Sequence, residues 1–166
     1  MYRTEVHYDF IARAVEAMRC PVLANGNVYS AAKAEEVLNQ TGAAGLMIGR
    51  GAIRNPWLFH QIREHVRGGT SFKPRGRDVL EYIRELYDAV CTPGVKESSQ
   101  VQKMKKYLNY IAVGVEPTGQ FLHDIRRVTA RADFFEVCEK FLDHDDSLPL
   151  EPFGHPATAS ETVPAD

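Results

Sequence analysis

Cysteine is scarce in this 166-residue chain, and the three present, Cys20, Cys91 and Cys138, show no CxxC spacing. That argues against a disulfide framework and against a zinc site. No apolar run approaches the roughly 20 residues that a membrane helix needs. The N-terminal MYRTEVHYDF lacks the basic, apolar and small-residue succession of a secretory signal, so a cytoplasmic location with no membrane contact is expected. Charge of one sign is also missing: 20 basic against 22 acidic side chains give a net charge of −2, not the global basicity of a simple nucleic-acid binder. What is present, 44% apolar, 25% charged and 10% aromatic, describes one globular domain or one and a half small ones. The length falls well short of the ~250 residues typical of an eight-stranded β/α barrel.

The near-neutral total is a cancellation. Residues 1–95 carry 12 basic and 10 acidic groups, residues 96–131 carry 7 and 3, and residues 132–166 carry 1 and 9. A basic stretch followed by an acidic end predicts a polyanion-facing segment and a solvated, disordered acidic tail over 143–166.

The first third alternates helix and strand patterns. Asp9 can cap a helix with Phe10, Ile11, Ala14, Val15 and Met18 at helical spacing. The apolar run Pro21-Val22-Leu23-Ala24 ends at Asn25-Gly26-Asn27 and reads as a buried strand followed by a turn. Ser30 can cap a second helix, with Ala34, Val37 and Leu38 inward, stopped at Thr41-Gly42. Gly45-Leu46-Met47-Ile48 is a second apolar strand ending at Gly49-Arg50-Gly51, and Asn55-Pro56 opens a third helix with Trp57, Leu58, Ile62 and Val66 as its apolar face. Strands apolar on both faces and alternating with helices predict parallel pairing under helical cover.

Beyond residue 66 the pattern changes. Residues 67–77 are a linker by composition. Helical periodicity then occupies Asp78 to about Ala89, Val101–Val113, Gly119–Thr129 and Asp133–Leu142, with the short connections of an antiparallel bundle.

Parallel α/β folds bind ligands at the carboxyl ends of their strands, where glycines let backbone N–H groups close on a phosphate. Arginine adds a bidentate donor. The two glycine loops, 24 residues apart, are one βα unit apart and fall on adjacent strands at one end of the sheet. Taken singly, each is also an ordinary turn.

The run Pro21 to Asn27, then Thr41-Gly42-Ala43, Leu46-Met47-Ile48-Gly49-Arg50-Gly51-Ala52 and Asn55-Pro56-Trp57-Leu58-Phe59, closely resembles the last two βα units of tRNA-dihydrouridine synthases. In that family these units close a flavin-binding TIM barrel whose loops hold the FMN phosphate. The resemblance implies phosphate contacts from Asn25, Gly26 and Asn27 at one strand end and from Gly49 and Arg50 at the next. Asn27 stands where the family commonly has Asp. The segment Met104-Lys105-Lys106-Tyr107-Leu108-Asn109-Tyr110 is similar to part of the family's helical tRNA-binding domain, with Tyr107 in place of the usual His and Leu122 near a frequent Arg. Lys103, Lys105, Lys106, Arg126, Arg127 and Arg131 then form the expected RNA-facing set, since RNA affinity rests on neutralising backbone charge. Tyr107 and Tyr110 can add stacking. As adjacent helical residues, Lys105 and Lys106 splay by about 100° and cannot face one phosphate together. A solvated helix face with core aromatics accounts for the same residues.

The implied fold class is therefore α/β: a partial TIM barrel (residues 1–66, its last two βα units), a linker (67–77), an all-α helical bundle domain (78–142) and the acidic tail. The implied function is FMN-dependent reduction of uridine to dihydrouridine in tRNA, with NADPH re-reducing the flavin. In the family a cysteine on an earlier barrel loop protonates C5 of uracil. Cys20 precedes a strand, at the wrong end for catalysis, and Cys91 and Cys138 lie in the helical part; no catalytic residue is assigned here. The chain is expected to be a C-terminal portion, inactive alone. Its bare strands should self-associate or pair with a separately encoded N-terminal barrel portion. A non-catalytic tRNA-binding module and another FMN-dependent TIM-barrel oxidoreductase remain as alternative readings.

Overall fold

The computed structural model describes residues 6–153. It is a mostly helical α/β structure with one small two-stranded parallel sheet. Helix α1 (Tyr8–Ala17) precedes β1 (Leu23–Asn25), α2 (Ala31–Thr41) and β2 (Gly45–Met47). The first residue of α1 is Tyr8, so Asp9 lies in the first turn and is not the cap. Helix α2 forms as its sequence dictates. The Ser30 hydroxyl accepts the Lys33 N–H at 3.2 Å, Ala34 and Val37 turn inward, and Gly42 ends the helix at φ 65°.

The strands pair with Leu23 opposite Gly45, Ala24 opposite Leu46 and Asn25 opposite Met47. Side chains alternate across a sheet, and the two faces fare differently. Ala24 is fully buried beneath the helices, while Leu23 and Met47 are 59% and 51% exposed. Two buried faces were expected; one is found. Helix α2 packs on both strands, and α1 and α4 (Leu58–Val66) pack on α2, so all of this cover lies on the Ala24 side.

Between β2 and α4 the sequence predicts only a turn before a helix opening at Asn55-Pro56. The structure inserts a five-residue helix, α3 (Arg50–Arg54). Asn55 then makes the turn into α4, its side-chain oxygen accepting the Trp57 N–H at 3.1 Å. A helix this short leaves no periodicity to read. It is held close by Gly51, where a Cβ would stand 2.2 Å from the Val28 carbonyl oxygen.

The helical part follows as α5 (Gly76–Val90), α6 (Glu97–Ile111) with a 3-10 turn at Ala112–Gly114, α7 (Gln120–Arg127) and α8 (Arg131–Leu142). Its core includes Val79, Ile83, Met104, Leu108, Ile111, Phe121, Ile125 and Phe134. The segment expected as a linker is tied down: Gln61 donates to the Phe72 carbonyl at 2.8 Å, the Phe72 ring lies 5.7 Å from Trp57, and Pro74 is buried.

The expected disordered tail over 143–166 is corrected for its first eleven residues; 154–166 lie outside the described residues. Residues 143–153 return along the start of α5. The Leu148 N–H donates to the Pro74 carbonyl at 2.7 Å, Ser147 bridges Arg75, and Leu150 is completely buried, its Cα 2.7 Å from where a Gly114 Cβ would sit. The acidic groups stay exposed to water as expected, but two of them also pair with the helix start: Asp143 with Arg77 at 2.8 Å, and Asp145 with Arg77 at 3.0 Å and Arg75 at 3.3 Å. Bulk composition hid two leucines whose burial outweighs the polarity around them. Leu150→Ala should therefore cost ~2–5 kcal/mol, as for other fully buried leucines, read as a lowered denaturant midpoint with unchanged slope.

Candidate functional site

The two strand-end loops lie together. Asn25 ends β1 with its side chain exposed, and Gly26 follows at φ 147°, a conformation that favours glycine, with its carbonyl accepting the Tyr8 hydroxyl at 3.0 Å. Asn27 sits at φ 39°. Across from it, Arg50 opens α3 and donates to the Asn27 side-chain oxygen at 3.4 Å. Gly49 precedes Arg50 with nothing within 4 Å of where a Cβ would be, so its backbone is open to approach. The structure thus brings Asn25, Gly26, Asn27, Gly49 and Arg50 to one end of the parallel pair.

A second arginine on α3 escaped sequence reading. Arg54 is only 7% exposed and donates through Nε to the Tyr110 carbonyl on α6 at 3.1 Å. Burial first, and the neighbouring Arg50 charge second, pull its pKa below the usual arginine value; a guanidinium nonetheless stays protonated in proteins. Beside it the Tyr82 hydroxyl donates to the Ile53 carbonyl at 2.9 Å, and the Tyr82 ring lies 6.2 Å from Trp57. Helix α3 therefore holds the Arg50 loop at one end and α6 at the other. Only the adjoining Asn55-Pro56-Trp57 run marked the place, and it gave no hint of a partner 56 residues from Arg54.

The six cations expected to face RNA divide. Lys106 and Arg127 are exposed. Lys103 is also exposed, with its ammonium donating to the Val90 carbonyl at the end of α5. Lys105 is not available as expected: it is 8% exposed and donates to the Arg126 carbonyl at 3.0 Å, satisfying a backbone group at the end of α7. The Arg126 guanidinium donates to the Asn109 side chain at 2.8 Å, and Asn109 in turn donates to the Lys105 carbonyl at 2.9 Å. Arg131 lies 5.2 Å from the Tyr87 and Phe135 ring centres. Lys105 points inward because its neighbours Met104 and Leu108 are core residues of α6. Tyr107 and Tyr110 are half-buried, with Tyr107 packed against the helical core.

The sequence profile of the dihydrouridine synthase (Dus) family matches residues 1–145. The chain belongs to the dihydrouridine synthase family. It is 33% identical over 121 residues to a probable tRNA-dihydrouridine synthase of Rickettsia conorii, covering 72% of this chain and 36% of that protein. It is 30% identical over 148 residues to tRNA-dihydrouridine synthase B of Shewanella oneidensis, covering 86% of this chain and 44% of the relative. A 71-residue stretch is 46% identical to tRNA-dihydrouridine synthase B of Vibrio parahaemolyticus, covering 43% of this chain and 22% of the relative. The chain thus spans less than half the length of these curated relatives. Among its described residues no helix is long and apolar enough to cross a membrane, and no group of three or more His, Cys, Asp or Glu side chains is placed to hold a metal ion.

The thiols lie apart from the loops. Cys20 is exposed ahead of β1, Cys91 is partly covered with its pKa raised by burial, and Cys138 is buried with its pKa pushed up to about 12, again by burial. The thiolate is the reactive form. Brief iodoacetamide treatment of the native chain at pH 8 should label Cys20 and leave Cys138 untouched, with denaturant exposing Cys138; peptide mass spectrometry reads the pattern.

Proposed function

We propose that this chain supplies the closing part of an FMN-dependent tRNA-dihydrouridine synthase. Residues 1–66 serve as the last two βα units of a flavin-binding TIM barrel, residues 67–77 join them, and residues 78–142 serve as the helical tRNA-binding domain. One observation carries the reading: two glycine loops at the carboxyl ends of adjacent parallel strands, joined by Arg50 reaching Asn27 at 3.4 Å.

These residues fit a phosphate monoester. Gly49 leaves its backbone open, Gly26 takes a φ that a side chain would strain, and Gly51 admits the Val28 carbonyl. The Arg50 guanidinium offers a paired set of donors to phosphate oxygens, and Asn27 orients it. The bond to Asn27 is long and exposed, so Arg50 can turn to a phosphate with little lost. When bound, reduced FMN supplies the hydride that reduces C6 of uracil, with NADPH as the source of electrons. The part of this chain is to hold the phosphate end and, through the Arg54 bond to Tyr110, to fix how far that end stands from the helices that meet tRNA.

Catalysis is assigned to an assembly larger than these 166 residues. The exposed Leu23 and Met47 face and the outer edges of β1 and β2 suit further strands, supplied by an N-terminal barrel portion or by a second copy. The curated relatives are more than twice as long as their matched segments, which agrees with that assignment.

Fluorescence titration with FMN and riboflavin tests the phosphate site. FMN should bind more tightly than riboflavin, and Arg50→Ala should remove about 1.5–3 kcal/mol, the usual worth of a hydrogen bond to a charged group, from FMN alone. Equal affinity for both flavins overturns the assignment of the loops. Salt-dependent tRNA binding with no flavin binding favours the tRNA-binding module instead. Dihydrouridine formed by the chain alone with FMN, NADPH and unmodified tRNA overturns the need for a larger assembly.

A further inference from the structure

On the Ala24 side, the segment that enters α1 closes against the Asn25-Gly26-Asn27 loop. The Tyr8 hydroxyl donates to the Gly26 carbonyl at 3.0 Å, and a Cβ at Gly26 would stand 2.5 Å from Val6 Cγ1. Tyr8 is itself held in place. It is 8% exposed, it clusters with Ala24, Val28, Ala34 and Val37 under the helical cover, and the Lys33 ammonium lies 5.3 Å from the centre of its ring. Burial raises its pKa above the ordinary tyrosine value, against the lowering pull of the Lys33 charge, so the hydroxyl keeps the proton it donates.

Glycine populates both signs of φ, so without a constraint the Gly26–Asn27 peptide can turn either its acceptor or its donor outward. The difference matters at a phosphate. A carbonyl oxygen facing the anion repels it, whereas a backbone N–H binds it. Every peptide bond among the described residues is trans, and in a trans peptide the N–H points opposite to the C=O. With the Gly26 carbonyl aimed at Tyr8 on the covered side, the Asn27 N–H is directed to the open side. Asn27 is exposed, and among the described residues nothing accepts from its N–H. That donor, the open backbone at Gly49 and the Arg50 guanidinium stand at the same end of the strand pair.

We infer that Tyr8 is a positioning residue for the phosphate site: by holding the Gly26 carbonyl on the covered side, its hydroxyl presents the Asn27 N–H to the phosphate beside Arg50. This deepens the phosphate-binding part of the proposed function and rests on it. Val6 supports the same arrangement, because its methyl occupies the space that any side chain at position 26 would need.

Fluorescence titration of the full chain with FMN and riboflavin tests the role, with Tyr8→Phe and Thr41→Val compared against wild type. Phenylalanine keeps the ring and removes only the donor. Thr41→Val removes another buried hydroxyl-to-carbonyl bond in the same half, the one to Val37 at 2.7 Å, and so reports what a purely structural loss does. Tyr8→Phe should weaken FMN binding about three- to tenfold, part of the worth of one charge-assisted hydrogen bond, and leave riboflavin binding unchanged. Thr41→Val should keep the wild-type ratio of the two affinities. Amide NMR adds a local readout: FMN should shift the Asn27 amide proton downfield in wild type, and by less in Tyr8→Phe. An unchanged ratio in Tyr8→Phe, an equal narrowing in Thr41→Val, or an Asn27 amide unmoved by FMN overturns the role of Tyr8 while the phosphate site stands. Wild-type chain that binds both flavins equally overturns the phosphate site and the role of Tyr8 together.

Discussion

A buried guanidinium on a five-residue helix joins the two halves of this molecule. Arg54 has given up most of its water for one backbone carbonyl on α6, with the Tyr82 bond to Ile53 and the Trp57 ring closing around the same spot. Removing a charge from water is unfavourable unless its donors are well used, so an arrangement of this kind persists only where geometry is held tightly. The consequence falls on Arg50, one turn earlier. Its place relative to α6 is set through a single turn of helix.

Charge in this chain does more structural work than its total implies. Arg75 and Arg77 hold the returning C-terminal segment through Asp143 and Asp145, and Lys105 satisfies the end of α7. Exposed ion pairs contribute little individually. The cluster around Arg75 and Arg77 therefore gives the segment its register, while buried Leu148 and Leu150 supply most of its attachment.

Features with a local cause were legible in the sequence. Ser30 and Gly42 mark the ends of α2 because capping and left-handed φ depend on the residue itself, and the four later helices announce themselves through apolar spacing. The glycine loops were legible for the same reason, as was their placement at one end of adjacent strands. Features with a distant cause were not. Nothing in Arg54 identifies Tyr110 as its partner, and Lys105 looks like Lys106 until the bundle is closed. Helix α3 is too short for a period, and the strands' second face depends on what lies beside the sheet. The acidic end was misread because an average over polar residues conceals Leu148 and Leu150, whose fate is decided by Gly114 and Pro74.

That returning segment also shapes how the molecule assembles. Ser147 meets Arg75 after about seventy residues of intervening chain, and ordering so long a loop costs entropy before any contact repays it. Helices α5 to α8 pack through short connections, whereas the space beside Gly114 is filled only when Leu150 comes back across the start of α5. Distant pairings of this kind slow folding relative to local helix contacts. A chain released from synthesis before residue 150 would have every helix of the bundle and still leave its core open.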